Sequence, residues 1–230
     1  MQKKNKVKNM NPLITHNEIC TDVQKKSELL ANQFEKTFNS KLHTRNSMAL
    51  LLPLAAALVM EDGEGYNSPI TLNELQKAIK DLKMSAPGHD FIHSQMIKNL
   101  PPIFLRFLIK LFNASLENSV VPLSWKKAII VPILKPEKDR TNIDSYRPIS
   151  LLPCLPKLME KIICSRLTHF FENNRSFSVN QGGFRKRMST LEQIGRLENQ
   201  IRLALISREF CVAVFIDLSK AYDCVWHTVS

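Results

Sequence analysis

Residues 210–217 read Phe-Cys-Val-Ala-Val-Phe-Ile-Asp, an apolar run that ends abruptly in a carboxylate. A continuous run of this kind, bounded by polar residues, is typical of a central β-strand buried on both faces. The run therefore predicts such a strand from Phe210 to Ile216, with Asp217 at its C-terminal end.

Upstream of this run, most apolar residues recur at helical spacing. We predict a helix over 23–38 and another that starts with Thr71 and Glu74, which have the spacing of a capping box. The proline and glycine of residues 85–88 end this second helix. A third helix is predicted over 102–117. Its apolar residues expected to face a core are Ile103, Phe107, Leu111 and Phe112.

The remaining part of the chain predicts one strand and two more helices. Residues 128–134 form a short β-branched run, in which Pro132 indicates an edge position or a bulge. A strong amphipathic helix follows over about 155–170, and Ser189 with Glu192 caps another. The apolar residues of this last helix are Leu191, Ile194, Leu197, Ile201 and Leu205.

The charge of the chain indicates a polyanionic partner. Among 230 residues, 32 are Lys or Arg and 21 are Asp or Glu, a net charge of +11. Residues 121–210 hold 16 basic and 8 acidic residues, and thus +8 of that total. Fields of this sign attract nucleic acid or acidic membrane surfaces, although a merely soluble basic protein is the alternative.

The cysteines and the apolar segments limit the classes of protein to which this chain can belong. Five cysteines, widely spaced and without a CxxC pair, indicate a reduced intracellular protein rather than a disulfide framework or a zinc site. The longest apolar run, 48–60, is well short of the roughly 20 residues that span a bilayer. We therefore expect no membrane partner and a location in the nucleus, the cytoplasm or both.

Asp217 is a candidate metal ligand because an unpaired carboxylate at the tip of a buried strand is destabilised unless a cation or hydrogen bonds hold it. Magnesium prefers oxygen ligands and is often held by one or two carboxylates together with substrate phosphates. On spacing alone, a cap of the following helix is an equally good interpretation. Asp223, six residues on, is either a second ligand or a residue with a local hydrogen bond.

The residues around Asp217 carry a family resemblance. Residues 215–227, Phe-Ile-Asp-Leu-Ser-Lys-Ala-Tyr-Asp-Cys-Val-Trp-His, resemble the first catalytic motif of reverse transcriptases from non-LTR, LINE-type retrotransposons, most like the jockey group. Further blocks that resemble this family occur upstream in the family's order. They are residues 85–90 (SAPGHD), 125–126 (WK), 134–138 (LKPEK), 145–152 (SYRPISLL), 181–185 (QGGFR) and 189–190 (ST).

The resemblance implies an RNA-directed DNA polymerase that transfers dNTPs to a DNA primer on an RNA template with two Mg²⁺ ions. It implies that Asp217 is catalytic and that Asp217 and the backbone carbonyl of Leu218 bind metal. Tyr222 is implied to lie under the sugar of the incoming nucleotide and to exclude a 2′-hydroxyl group.

The same resemblance assigns roles to residues upstream. Lys135 and Arg147 are implied to grip the triphosphate, a role that suits Arg because its planar guanidinium can hold phosphate oxygens bidentately. Gln181, Phe184 and Arg185 are implied to lie near the template and the incoming base.

The implied fold is α+β, a right-hand polymerase with mostly helical fingers plus the first palm strand, in truncated form. Residues 1–69 are expected to be a linker or N-terminal extension, 70–209 the fingers, and 210–230 the beginning of the palm. The oligomeric state is left open.

The chain departs from the family pattern at two places. The family block with two adjacent Asp residues does not occur in it, so we expect that this chain alone does not polymerise DNA. Gly182 stands where the family usually has a large residue, which puts a stacking contact there in doubt. The alternative function is therefore a catalytically dead remnant that still binds nucleic acid.

Overall fold

The computed structural model describes residues 11–15, 19–39 and 67–218. The predicted apolar run 48–60 lies outside the described residues, as do Tyr222 and Asp223. The described chain contains helices and two small antiparallel sheets, in keeping with an α+β fold. In chain order the elements are β1 (Leu13–Ile14), β2 (Ile19–Cys20), α1 (Val23–Phe38), α2 (Leu72–Lys80), α3 (Ser94–Lys98), α4 (Pro102–Glu117), β3 (Ile129–Leu134), β4 (Tyr146–Leu151), α5 (Cys154–Asn173) and α6 (Thr190–Ile206).

The helix starts confirm the capping predictions. At α2 the Thr71 hydroxyl accepts from the Glu74 amide at 3.3 Å, and the Glu74 carboxylate accepts from the Thr71 amide at 2.9 Å. At α6 the Ser189 hydroxyl accepts from the Glu192 amide at 3.2 Å. Each cap satisfies a backbone donor that has no partner inside the helix.

The main core lies between α2, α4 and α5. Leu75, Phe112 and Leu158, one from each helix, are completely buried. Trp125 packs edge-on against Phe112, with ring centroids 5.9 Å apart and an interplanar angle of 79°. The tryptophan of the WK block is therefore a packing residue that closes this core.

A close backbone approach joins two of the sequence blocks. Gly88, in the loop between α2 and α3, lies against the backbone where β4 leads into α5. A Cβ atom at this position would stand 2.5 Å from the Pro153 nitrogen and 2.8 Å from the Leu152 carbonyl carbon. Only glycine allows this contact, since neither neighbour is a side-chain tip that can turn away.

Strands β3 and β4 form a two-stranded ribbon whose register explains its prolines. Pro132 lies opposite Pro148, and Leu134 lies opposite Tyr146. The ladder continues one residue further, with the Lys135 amide donating to the Ser145 carbonyl at 2.8 Å. Because hydrogen-bonded and non-hydrogen-bonded pairs alternate in antiparallel ribbons, the two prolines face each other at a non-hydrogen-bonded pair. The edge position predicted from Pro132 is confirmed.

The N-terminal elements pack on the loop that joins β3 to β4. Leu13, Leu30 and Phe34 form a second, smaller core with Ile143 and Tyr146 against it. The expected linker or extension therefore contains a folded part. A hydrogen bond supports this contact, because the backbone amide of residue 14 donates to the carbonyl of residue 141 at 2.7 Å.

The predicted strand Phe210–Ile216 is wrong for the described chain. The segment has no regular secondary structure and pairs with no described strand, and its Phe210 and Ile216 side chains are exposed. Apolar composition favours burial of the segment. A β-strand, however, forms only where a neighbouring strand pairs with its backbone N–H and C=O groups. Asp217 consequently ends an exposed segment.

Two predicted helices form with less burial than expected. Phe112 of α4 is buried, whereas Ile103, Phe107 and Leu111 are exposed. No residue of α6 is buried, although its predicted apolar face lies on one side of the helix. Capping and periodicity are local properties and predict the helix, but its burial depends on a packing partner, and no described residues cover these faces.

Arg166 of α5 ties this helix to the start of α2. Its guanidinium forms two hydrogen bonds with the Glu74 carboxylate, at 2.7 and 2.8 Å, and also donates to the backbone carbonyls of Ser68 and Pro69. The Arg166 side chain is only 9% exposed. Its hydrogen bonds lower the pKa of Glu74 from 4.5 to about 2.

Gly88→Ala should lower the free energy of unfolding by about 1–3 kcal/mol, the usual range for overpacking. The matched control is Gly195→Ala, because a Cβ atom at that helical position meets nothing within 4 Å. This control should be neutral or stabilising, since alanine is the better helix former. Urea unfolding of both variants measures the difference, and equal stabilities would contradict the close approach at Gly88.

Arg166→Met should lower the free energy of unfolding by about 1–3 kcal/mol, because it leaves the hydrogen bonds of a charged group unmade. The contribution of Glu74 should also depend on pH. Its pKa is depressed in the folded protein, so its stabilisation is present above pH 4.5 and is lost as the pH falls toward 2. Unfolding of Glu74→Gln across this range should show a weaker pH dependence than the unaltered chain, with the exposed Glu117→Gln as control. An unchanged pH dependence in Glu74→Gln would contradict the assignment.

Candidate functional site

The ribbon brings the two predicted triphosphate-binding cations to one face. Arg147 lies opposite Ile133, and Lys135 follows Ile133 by two positions in the continued ladder. Side chains two apart on a strand share a face, so Lys135 and Arg147 occupy diagonal positions on the same side of the ribbon. Arg147 is exposed and Lys135 is half-buried. The face can therefore present two cations to one anionic group.

Contacts at the end of the ribbon orient Lys135. Its ammonium group donates to the backbone carbonyl of Asp144 at 2.8 Å. The Asp144 carboxylate in turn accepts from the side-chain amide of Gln33, on α1, at 2.7 Å. The N-terminal helix therefore reaches the residue that holds Lys135. Nothing in the local sequence of Gln33 indicates this role, because the contact joins residues 111 positions apart.

Arg185 holds the loop between α5 and α6. Its guanidinium donates to both oxygens of the Glu172 carboxylate, at 3.0 and 2.7 Å, and to the carbonyls of Ser178 and Gln181 at 3.0 and 3.3 Å. It also lies 5.3 Å from the centre of the Phe177 ring. Hydrogen bonds from Arg185 lower the pKa of Glu172, and those same bonds raise the pKa of Arg185. Most of its five N–H donors are engaged within the protein.

Phe184, next to Arg185, is the most unusual aromatic residue of this loop. Its side chain is 93% exposed and its φ of 60° lies in the left-handed region, which bulky residues rarely adopt. Residues held in such conformations concentrate at binding and catalytic sites. The predicted neighbour Gln181 is also exposed, and its side-chain amide donates to the Gly183 carbonyl at 3.3 Å.

In the structure Gly182 lies beside a side chain of α6. A Cβ atom there would collide with the side-chain amide of Gln193, on α6. That amide nitrogen is buried and has no hydrogen-bond partner among the described residues. The space next to Gly182 is thus filled by Gln193, a contact that sequence reasoning misses because the two residues lie in different elements.

Asp217 and Leu218 lie at the end of the described chain, both exposed. No group of three or more His, Cys, Asp or Glu residues able to hold a metal ion occurs among residues 11–15, 19–39 and 67–218. One carboxylate supplies a suitable oxygen ligand for a divalent ion but falls short of a site. No reaction step through a metal ion therefore follows from these residues, and the predicted nucleotide-binding Tyr222 lies outside them.

A cleft of about 1320 Å³ opens between α2, α5 and the loop that follows α5. Six basic and three acidic residues line it. Among the residues that line the cleft, Arg185 alone belongs to the sequence blocks quoted above. The helical spacing of Lys77, on α2, and Asp81, the residue that caps its C-terminal end, predicts that they share a face but not what that face contacts.

No helix in the described part of the chain combines the length and the apolar character needed to cross a bilayer.

Comparison with known proteins identifies the fold family. Residues 133–229 match the model of the family described as reverse transcriptase (RNA-dependent DNA polymerase). The chain is 35% identical over 217 residues to the probable RNA-directed DNA polymerase from transposon BS of Drosophila melanogaster, covering 91% of this chain and 23% of that protein. It is 34% identical over 215 residues to the RNA-directed DNA polymerase from mobile element jockey of the same fly, covering 90% and 23%.

A third relative, the probable RNA-directed DNA polymerase from transposon X-element of Drosophila melanogaster, is 38% identical over 149 residues, covering 65% of this chain and 16% of the relative. The chain thus spans about a quarter of the length of the first two relatives. Members of the family generally use divalent metal ions and act on nucleic acid and nucleotides. The motif order, the matched domain and these relatives together show that this chain belongs to the reverse transcriptase family of non-LTR retrotransposons.

Proposed function

We propose that this chain is part of the RNA-directed DNA polymerase of a mobile element and supplies its nucleotide-binding and template-binding surface. The observation that carries the proposal is the diagonal placement of Lys135 and Arg147 on one face of the ribbon. A dNTP carries several negative charges, and two cations on one face can neutralise them together. The relatives' names support the same activity.

In the reaction, the primer 3′-hydroxyl oxygen attacks the α-phosphorus of the dNTP. A new phosphodiester bond forms, the bond between the α-phosphorus and the bridging oxygen of pyrophosphate breaks, and the hydroxyl proton passes to water. Lys135 and Arg147 bind the charged leaving group, and Arg147 can do so bidentately. Asp217 and the Leu218 carbonyl are proposed to contribute to the Mg²⁺ site of the complete protein, where the metal would polarise the reacting oxygens. Tyr222 is proposed to select deoxynucleotides.

The loop around Phe184 is proposed to contact the template and the incoming base. Gln181 and Phe184 are exposed, and an exposed aromatic ring can stack on an unpaired base of any sequence. Arg185 acts differently, because its donors hold Glu172 and the loop carbonyls. We assign it as a positioning residue that fixes the loop carrying Phe184.

The alternative is a catalytically inactive remnant that still binds nucleic acid. The two functions share the binding surface and differ in whether nucleotides are joined. Primer extension on an RNA template separates them.

Arg147→Lys in the mobile-element polymerase that contains this chain should raise the KM for dNTP roughly tenfold, because lysine loses the bidentate contact worth about 1.4 kcal/mol. The control is Arg106→Lys, at an exposed position of α4 away from the ribbon, which should leave the KM unchanged. Steady-state primer extension with an RNA template and Mg²⁺ measures both. Asp217→Asn should abolish extension without unfolding the protein. An unchanged KM in Arg147→Lys, or full activity in Asp217→Asn, would overturn the proposed roles.

Phe184→Ala should weaken the binding of single-stranded RNA to the chain by about 1–3 kcal/mol, roughly 5- to 150-fold, if the ring stacks on a base. Phe184→Tyr should preserve most of the affinity, because it retains the aromatic face. Phe104→Ala, which removes another half-exposed ring on α4, is the matched control. Fluorescence anisotropy with labelled RNA gives the affinities, and equal losses at both positions would argue against stacking at Phe184.

A further inference from the structure

We propose that the cleft between α2, α5 and the loop over residues 174–188 binds the sugar-phosphate backbone of single-stranded template RNA. The inference rests on the proposed function and adds to it a surface outside the ribbon and the motif around Asp217. It follows from which charges in the cleft are engaged within the protein and which are available to a ligand.

Two of the three acidic residues in the lining are neutralised by arginines. Glu74 is bound by Arg166, at a shortest distance of 2.7 Å, and Glu172 is bound by Arg185 at 2.7 Å. The opposite charges of each pair cancel within the wall of the cleft. The remaining charged residues of the lining are Lys77, Lys161, Lys186, Arg187 and Asp81. The charge available to a ligand is therefore strongly positive.

The four cations outside these ion pairs come from three different elements and line the same cleft. Lys77 lies on α2, Lys161 on α5, and Lys186 with Arg187 on the loop. Lys161 is held in place by a hydrogen bond from its ammonium group to the Asp81 carbonyl, at 2.5 Å. Cations from three elements that line one cleft fit a polyanion that enters it, whereas scattered surface lysines would not share a cavity.

Uncharged polar side chains complete the lining. Ser165 and Asn174 line the cleft and offer hydroxyl and amide groups. Such groups, together with Lys and Arg, make most protein contacts to phosphate and sugar oxygens. A lining of this composition binds the sugar-phosphate backbone of RNA and does not discriminate between base sequences. This is expected of an enzyme that copies any template.

The shape of the site favours a single strand over a duplex. A positively charged groove that follows one backbone is the usual arrangement in proteins that bind single-stranded nucleic acid. Two helices and a loop supply the residues that line the cleft. The exposed ring of Phe184 precedes the lining residue Arg185 by one position and can stack on a base of the same strand.

The test compares the salt dependence of RNA binding by the 230-residue chain, by two double variants of the cleft and by one control double variant. The probe is a short, unstructured, labelled single-stranded RNA, titrated by anisotropy between about 50 and 200 mM salt. Lys77→Gln with Lys161→Gln removes two proposed phosphate contacts. Because each contact to a single strand contributes about 0.7 to the slope of log K against log salt, this variant should lose about 1.4.

The matched control is Lys80→Gln with Lys110→Gln. It removes the same charge from exposed positions of α2 and α4 that do not line the cleft. The control should retain the slope. Lys77→Gln with Lys186→Gln repeats the test without touching the Lys161 hydrogen bond, and a cooperative thermal transition shows that each variant is folded.

Each outcome decides between the two proposals. If the unaltered chain binds RNA and both cleft variants keep its affinity and slope, the cleft is not the site, while the proposed function stands. If the unaltered chain shows no salt-dependent RNA binding, both proposals fail. A blunt-ended RNA duplex serves as the second probe. Equal losses for the duplex and the single strand would overturn the assignment to a single strand.

Discussion

The arrangement of this protein depends on the ion pair between Arg166 and Glu74. Arg166 lies more than halfway along α5, yet its guanidinium reaches the first turn of α2 and the carbonyls of the two residues Ser68 and Pro69 that precede it. Glu74 also belongs to the capping box of α2. One carboxylate therefore links the local start of a helix to the packing of two helices. The pair also determines how α2 and α5 present their side chains to the cleft.

A second chain of contacts connects the N-terminal elements to the ribbon. The core of Leu13, Leu30 and Phe34 seats α1 on the loop between β3 and β4, and Gln33 then hydrogen-bonds Asp144, whose carbonyl holds Lys135. Two strands of the described chain form the ribbon, and a two-stranded ribbon is marginally stable in isolation. Packing from α1 therefore stabilises the end of the ribbon at which Lys135 lies.

The sequence predicts those parts of the fold that depend on local rules. Pro102 and the apolar spacing that follows predict α4 to the residue, and Thr71, Glu74 and Ser189 identify their helix starts. Strand β4 is missed, because Pro148 interrupts a segment whose pairing with β3 is the only reason that it is extended. The predicted strand Phe210–Ile216 does not form, for the opposite reason. The segment has the composition of a strand, but no described strand pairs with it. Local signals predict an element, and long-range partners determine whether it pairs or is buried.

At the candidate site, too, the sequence predicts the motifs, whereas the partners of their side chains are seen only in the structure. The block around Gln181 and Arg185 is recognisable from letters alone, and a count of its arginines and lysines suggests several cations available to a ligand. The structure shows that Arg185 is bound to Glu172, thirteen residues away on α5. An arginine with an internal carboxylate partner adds order to a loop. A lysine such as Lys77, for which the described residues supply no ion pair, instead adds attraction for a polyanion. Net charge alone therefore does not locate a nucleic-acid surface. The residues in ion pairs must first be set aside, and on the walls of the cleft this leaves four cations and one carboxylate, Asp81.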